Sequence, residues 1–328
     1  MKLILFGLFT IFTLSLQAEP YKMGQGLKVN DALNIGGYFA TEFESNKNSD
    51  SATLDDVAIM AYGDLHPMLS YLAELEAVSF YHKNISDGSH TSDKKFHIER
   101  LYGDLWMSDE LNIRFGKQIT PIGYWNREPI NVLRDMTSNP LYSKLLFPKF
   151  LTGIDINGLV PKMEGVRYHL FGQNNRDLDE EYINIPNTHF FGFALEKEIS
   201  NELSSGISIG DFIPNSTKRS QFFQASFKYD NDLWQILAEG LVAKSRYSNN
   251  QSEYAFSAYT QGMYRYSQKH AVVGRYEYFD DNRTQYEDNI FTLGYSYRPW
   301  YPVSLKAEHQ WHSKNDENRI LLSFSVLF

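Results

Sequence analysis

Apolar and polar residues alternate with a period of two along most of the chain. At the C-terminus Ile320, Leu322, Phe324, Val326 and Phe328 interleave with Arg319, Leu321, Ser323, Ser325 and Leu327. Val303, Leu305, Ala307, His309 and Trp311 alternate with Ser304, Lys306, Glu308, Gln310 and His312. Val272, Gly274, Tyr276 and Tyr278 alternate with Val273, Arg275, Glu277 and Phe279, and Val166, Tyr168, Leu170 and Gly172 with Arg167, His169, Phe171 and Gln173. A period of two throws successive side chains to opposite faces of a strand. The pattern predicts sixteen strands, at about 32–45, 52–65, 69–81, 95–107, 111–119, 149–160, 164–173, 187–199, 202–212, 219–229, 232–245, 253–267, 270–281, 288–298, 302–313 and 318–328. Each is near the roughly ten residues that a tilted membrane-spanning strand requires.

The connections fall into two kinds that alternate. Tight turns, such as His66-Pro67-Met68, Pro161-Lys162-Met163 and Pro299-Trp300-Tyr301, take turns with longer polar segments at 46–51, 82–94, 120–148, 174–186, 213–218, 246–252, 282–287 and 314–317. Short turns on one rim and long loops on the other are the pattern of a membrane barrel. An even strand number puts both ends on the short-turn rim, the periplasmic side of such a barrel. A soluble β-sandwich needs neither this asymmetry nor outward faces rich in Tyr, Phe and Trp.

Composition narrows the class. Mean hydropathy is −0.42, yet Phe, Tyr and Trp make up 15% of the 328 residues. Apolar residues diluted one in two by lumen-facing polar ones give that pairing. Residues 1–18 read as a secretory signal peptide: Lys2 is the positive end, Leu3 to Leu16 the apolar stretch, and Leu16-Gln17-Ala18 the cleavage site. Beyond it no apolar run reaches the roughly 18–20 residues of a spanning helix, which excludes a helical membrane protein. Residues 19–328 are expected to form one barrel domain. The leader carries one of the 31 Lys and Arg and none of the 40 Asp and Glu, so the remainder has a net charge of −10. That argues against a nucleic-acid partner. There is no cysteine, so stability must come from hydrogen bonding and burial.

The expected fold is therefore all-β, a transmembrane antiparallel β-barrel of about sixteen strands. In hydrocarbon an unpaired backbone N–H or C=O costs several kcal/mol, and only a closed sheet leaves none at an edge. Trp106, Trp234, Tyr254, Tyr264, Tyr266, Tyr276, Tyr278, Tyr295, Tyr297, Trp300 and Trp311 are candidates for aromatic girdles at the lipid interfaces. Around eight strands fill their own interior, whereas 16 to 18 leave an aqueous channel. The longest connection, about Thr120 to Pro148, holds Ile122, Tyr124, Trp125, Ile130, Val132, Leu133, Leu141, Tyr142, Leu145, Leu146 and Phe147, with Lys144 among its charges. Its apolar content argues against disorder, and a loop of this length is usually functional. It is expected to fold into the lumen as a constriction. The other reading is an external lid.

The sixteen-strand plan, the long third loop and the terminal Phe328 resemble the trimeric general porins of Gram-negative bacteria. The segment Arg114-Phe115-Gly116-Lys117-Gln118-Ile119-Thr120-Pro121-Ile122-Gly123 is similar to a strand-to-loop motif of the phosphate-selective porin (O/P-type) family. The resemblance implies a homotrimer, export by the general secretion route, and insertion into the outer membrane by the barrel-assembly machinery reading the strand that ends in Phe328. The chain departs from an anion-selective member in being net acidic and in lacking a dense lysine or arginine ladder.

With the tyrosine-bearing faces outward, the inner faces carry Glu74, Glu76, Arg100, Asp104, Arg114, Arg167, Lys228, Glu239, Arg265, Arg275, Glu277, Lys306 and Glu308. Charges are costly toward lipid and welcome in water. The long loop adds Arg127, Glu128, Arg134 and Asp135. These are the candidate pore-lining and constriction residues, with basic wall residues opposed by the loop carboxylates Glu128 and Asp135. Rings of charge tune which ions pass; for any single residue the plainer reading is a solvated wall position.

Together the observations predict a channel in outer-membrane lipid for passive diffusion of small hydrophilic solutes or ions, without cofactor or metal. The alternative is a channel selective for an anion, phosphate or an organic acid. A barrel enzyme of the lipase or protease type would need a nucleophile beside a positioned base. The nine His are scattered, and none sits in a serine-hydrolase or metal motif.

Overall fold

The computed structural model describes residues 22–180, 182–214, 219–249, 251–314 and 317–328. The expected signal peptide lies outside the described residues. Among them the chain forms nineteen strands: β1 (Leu27–Asn30), β2 (Leu33–Asn46), β3 (Asp50–His66), β4 (Leu69–Ala77), β5 (Tyr81–Asn84), β6 (His90–Thr91), β7 (His97–Ser108), β8 (Leu111–Ile119), β9 (Phe150–Leu159), β10 (Val166–Gln173), β11 (Asn187–Glu198), β12 (Leu203–Pro214), β13 (Arg219–Asp230), β14 (Trp234–Arg246), β15 (Ser252–Ser267), β16 (His270–Asp281), β17 (Tyr286–Trp300), β18 (Val303–His312) and β19 (Arg319–Leu327). All but β1, β5 and β6 form a closed antiparallel barrel of sixteen strands, matching the sixteen expected segments one for one. β1 folds back on β2, and β5 with β6 makes a loop hairpin that extends the edge of β3.

Closure is made by β19 against β2, from Arg319 opposite Asn46 to Leu327 opposite Tyr38. Phe328 and Gly37 then exchange two backbone hydrogen bonds of 2.8 Å each. Gly37 is required at this seam. A Cβ there would stand 2.3 Å from the Ala58 carbonyl oxygen and 2.8 Å from the Phe328 ring.

The two faces separate as alternation demands. On β16, Arg275 is 1% exposed and its neighbour Tyr276 52% exposed. The outward aromatics gather at both rims. Near the short turns, Trp234 and Tyr264 lie 4.6 Å apart and His270 stacks on Tyr297 at 4.7 Å. Near the long loops, Phe291 meets Trp311 at 5.4 Å and Phe256 meets Tyr278 at 5.7 Å. Tyr and Trp favour this interfacial depth because one end of the ring is apolar and the other can hydrogen-bond to water.

The inner face differs from the polar lining expected of it. On β10 to β13 it carries Phe171, Phe190, Phe212 and Phe222, which are buried in one cluster with Ile122, Trp125, Tyr142, Leu146 and Phe147 of the 120–148 segment. An aromatic side chain inside a barrel is stable once another apolar surface covers it. Here the covering surface comes from a distant stretch of chain, so local alternation does not reveal it.

The facing assignment makes a prediction. Leu293 is exposed at the middle of β17. Leu293→Arg should cost about 2–4 kcal/mol of folding stability in lipid vesicles, read by denaturant-driven refolding. Unchanged stability would remove this face from the lipid.

Candidate functional site

The strand-to-loop motif anchors both ends of the segment 120–148. The Thr120 hydroxyl donates to the carbonyls of Pro148 and Lys149 at 3.0 and 3.1 Å, and the Asn126 amide donates to the Thr120 carbonyl at 2.9 Å. Gly123 has φ +66°, and a Cβ there would stand 2.7 Å from a Glu239 carboxylate oxygen. Glycine alone lets the backbone turn and approach that closely.

Inward-facing wall residues then take up the segment's backbone groups. Glu239 on β14 accepts the N–H groups of Tyr124 and Trp125 at 2.5 and 3.1 Å. Glu277 accepts the N–H of Leu141, and Glu308 accepts the N–H groups of Thr137 and Ser138. Arg275 donates to the Ser138 carbonyl and hydroxyl, both at 2.8 Å. Lys306 donates to the Asn131 carbonyl at 2.6 Å. Arg298, on β17, donates to the Leu133 and Arg134 carbonyls at 3.0 and 2.8 Å and pairs with Asp135 at 3.1 Å. Each buried wall charge thus satisfies backbone groups of a segment with little secondary structure, where an unmet buried group would cost about 1–3 kcal/mol.

The other expected site residues occupy different places. Arg100 pairs with Glu74, and Arg114 with Asp104 at 2.8 Å while lying over the Tyr102 ring. Arg265 pairs with Asp230 at 2.8 Å, close to the tight turn after β13, and Lys228 lies 3.7 Å from the same carboxylate. Arg167 is half-buried on β10, across from Leu159 and Glu196. Arg127 pairs with Glu196 at 2.8 Å, and Glu128 is exposed. The Arg134 guanidinium lies 4.9 Å from the Trp125 ring centre, donates to the Glu128 carbonyl and reaches Asn139. Arg275 approaches Trp125 at 5.4 Å.

The connection 174–186 docks on the opposite wall. Lys117 of the motif is buried and pairs with Asp177 at 2.9 Å, and Tyr182 donates to Glu76. Asp179 accepts from the Ile98 N–H at 3.0 Å and meets His97 at 3.1 Å. Burial pushes the Asp179 carboxyl up. The hydrogen bonds from Ile98 and His97, with the His97 and Lys117 charges, outweigh it and hold the group below its ordinary 3.8.

Several carboxylates outside the expected set also face inward. Glu42 and Glu44 alternate correctly on β2. Asp55 and Asp56 on β3 and Glu99 on β7 arrive by bulges. Tyr38 pairs with Ala58 but Ala40 with Asp55, so β3 holds one extra residue at the bulge that contains Asp56, whose φ is +49°. Glu74 pairs with Arg100 and Leu75 with Ile98, which leaves Glu99 as an extra inward residue beside Arg100. Glu99 accepts from the Tyr38 hydroxyl at 2.9 Å and stands 3.9 Å from Lys149. Glu76 lies within hydrogen-bonding reach of both Asp56 and Glu99.

Two spaces flank the segment. One of about 380 Å³, toward the long-loop rim, is bordered by Glu42, Glu44, Asp55, Asp56, Glu76 and Glu99 on the wall and by Asn126, Asn131 and Ser138 of the segment. The other, about 300 Å³, lies toward the short-turn rim and is bordered by Arg127, Glu128, Lys228, Gln235 and Gln261. Trp125 and Arg134 border both. No group of three or more His, Asp or Glu among the described residues is arranged to hold a metal ion.

No protein-family model and no curated protein matches the sequence. Solved structures do. Salmonella typhi OmpF in complex with daunomycin matches at 11% identity and a TM-score of 0.65, over 90% of this chain and 97% of that one. An anion-selective porin from Comamonas acidovorans matches at 10% and 0.63, over 90% and 99%. The trimer form of in-vitro folded OmpT, an outer membrane protein of Vibrio cholerae, matches at 11% and 0.65, over 90% and 99%. The fold is that of the Gram-negative outer-membrane porins, a closed barrel of sixteen antiparallel strands.

Two predictions follow from the anchoring contacts. Glu239→Ala should release the Tyr124 and Trp125 amides, raising their hydrogen exchange and costing about 1.5–3 kcal/mol per lost charge-assisted bond. Unchanged exchange would show that the segment is held without Glu239. For Asp179, the folded carboxyl titrates below its unfolded value of 3.8. Its contribution to docking 174–186 is complete above that value and is lost as pH falls through the lowered one. Proteolysis of this connection should therefore be slow from neutral pH down to about 4, and faster for Asp179→Ala at every pH in that range.

Proposed function

We propose that the protein is an outer-membrane channel for passive diffusion of small hydrophilic solutes or ions, exported with residues 1–18 as its signal peptide and assembled as a homotrimer. In this reading the segment 120–148 is folded into the lumen as the constriction. One observation carries it: the barrel has sixteen strands, twice the number that fills its own interior. The wall contacts of the segment, and the position of Trp125 and Arg134 between a space at either rim, support a narrowing there. The trimer form in which one structural neighbour was solved supports the assembly.

The charged residues take two roles under this proposal. Arg275, Glu239, Glu277, Glu308 and Lys306 hold the constricting segment, while Arg127, Glu128, Arg134 and Asp135 belong to the segment itself. Arg100, Arg114, Arg167, Arg265, Glu74 and Glu76 form the charged wall along which solutes move.

Reconstitution in a planar bilayer tests the proposal. The folded protein should give stable stepwise conductance, and Trp125→Ala should enlarge each step. A folded barrel that inserts without conductance would overturn the channel reading and favour a hydrolase barrel. Steps unchanged by Trp125→Ala would remove Trp125 from the constriction.

A further inference from the structure

The space at the long-loop rim is unevenly charged. Six carboxylates border it, those of Glu42, Glu44, Asp55, Asp56, Glu76 and Glu99, against three cations, Arg134, Lys149 and Arg319. Those cations are largely engaged. Arg319 pairs with Glu44 at 3.2 Å, Lys149 stands 3.9 Å from Glu99, and Arg134 is spread over Trp125 and bonded to the segment's own oxygens. Glu76 accepts from a neutral donor, the Tyr182 hydroxyl. A second observation comes from a different element. Asn126, 2% exposed and bordering the same space, has an amide oxygen with no hydrogen-bond partner in the protein. It adds an unused buried acceptor to a surface already rich in acceptors.

A surface of this kind discriminates by what it lacks. Ammonium and guanidinium groups carry donors and no acceptor, so they can meet carboxylates and a free amide oxygen together. An anion entering the same space would face uncompensated like charge between low-dielectric walls, which concentrate the field. Resting on the channel reading, we propose that this passage favours solutes bearing an ammonium or guanidinium group, with Asp56, Glu76 and Glu99 setting the preference. The polarity is the reverse of basic wall residues facing loop carboxylates. The wall supplies the excess of acidic groups, and the segment supplies Arg134.

The two bulges are the structural device. Strict alternation would send Asp55 and Asp56 to opposite faces, and likewise Glu99 and Arg100. The left-handed backbone at Asp56 and the extra residue at Glu99 bring all four to the interior, on strands that flank Glu76 of β4.

The experiment is a reversal-potential measurement on the full-length protein in a planar bilayer, across a tenfold KCl gradient. It is joined by liposome swelling with arginine and with glutamate as permeants. Cations should pass preferentially, and arginine should enter faster than glutamate. Asp56→Asn keeps a residue that tolerates positive φ, and Glu76→Gln keeps an acceptor for Tyr182. Each should lower the cation-to-anion permeability ratio by up to about tenfold, because one charge at about 6 Å in water favours a cation and disfavours an anion by about threefold each. Open channels with no preference, or with an anion preference, overturn the inference while leaving the channel standing. So does a ratio unchanged in both variants. If one variant fails to fold, the wild-type sign and the other variant still decide. Absence of conductance steps in the wild type would defeat the channel reading itself, and the inference with it.

Discussion

The structure depends first on the hydrogen-bonding demand of the backbone. A strand placed in hydrocarbon has no water to meet its N–H and C=O groups, so every strand must have two neighbours. The seam between β19 and β2 meets that demand. Its last link is the pair of bonds between Phe328 and Gly37, where the absence of a side chain on Gly37 gives the terminal ring its place. Closure then fixes everything that depends on facing: aromatics outward at two depths, charge inward.

Once closed, a sheet of sixteen strands encloses more space than its own side chains fill. The segment 120–148 and the inward phenylalanines of β10 to β13 answer one another. Apolar side chains of the segment bury against the phenylalanines, while its backbone groups are taken up by Glu239, Arg275, Glu277, Arg298, Lys306 and Glu308. Burial supplies the favourable energy, and the buried charges meet the polar groups that irregular backbone leaves exposed. Much of the charge read as pore lining is therefore structural charge. The wall of β2, β3, β4 and β7 is left with acceptors that the segment does not consume.

What the sequence determined by itself was the strand plan. Period-two alternation is local, so sixteen strands, their two faces, the alternation of short and long connections and the inward charges on β14, β16 and β18 could all be read from neighbouring residues. Glu42 and Glu44 were within reach of the same reasoning, since they alternate with Thr41 and Phe43 on a regular strand. Lys117 and Thr120 stood in a motif whose resemblance pointed to a strand-to-loop junction, though not to what they bind.

Only the tertiary structure decided the rest, because it depends on groups far apart in the chain or on broken alternation. Arg298 meets the segment some 160 residues away. Phe190 and Phe212 face inward because Phe147 and its neighbours cover them. Asp55, Asp56 and Glu99 face inward because of bulges, which slip the register by a residue and turn a side chain to the other face of the sheet. A pattern read two residues at a time cannot see such a slip. The acidic wall is therefore a property of how the strands pair, not of the alternation within any one of them.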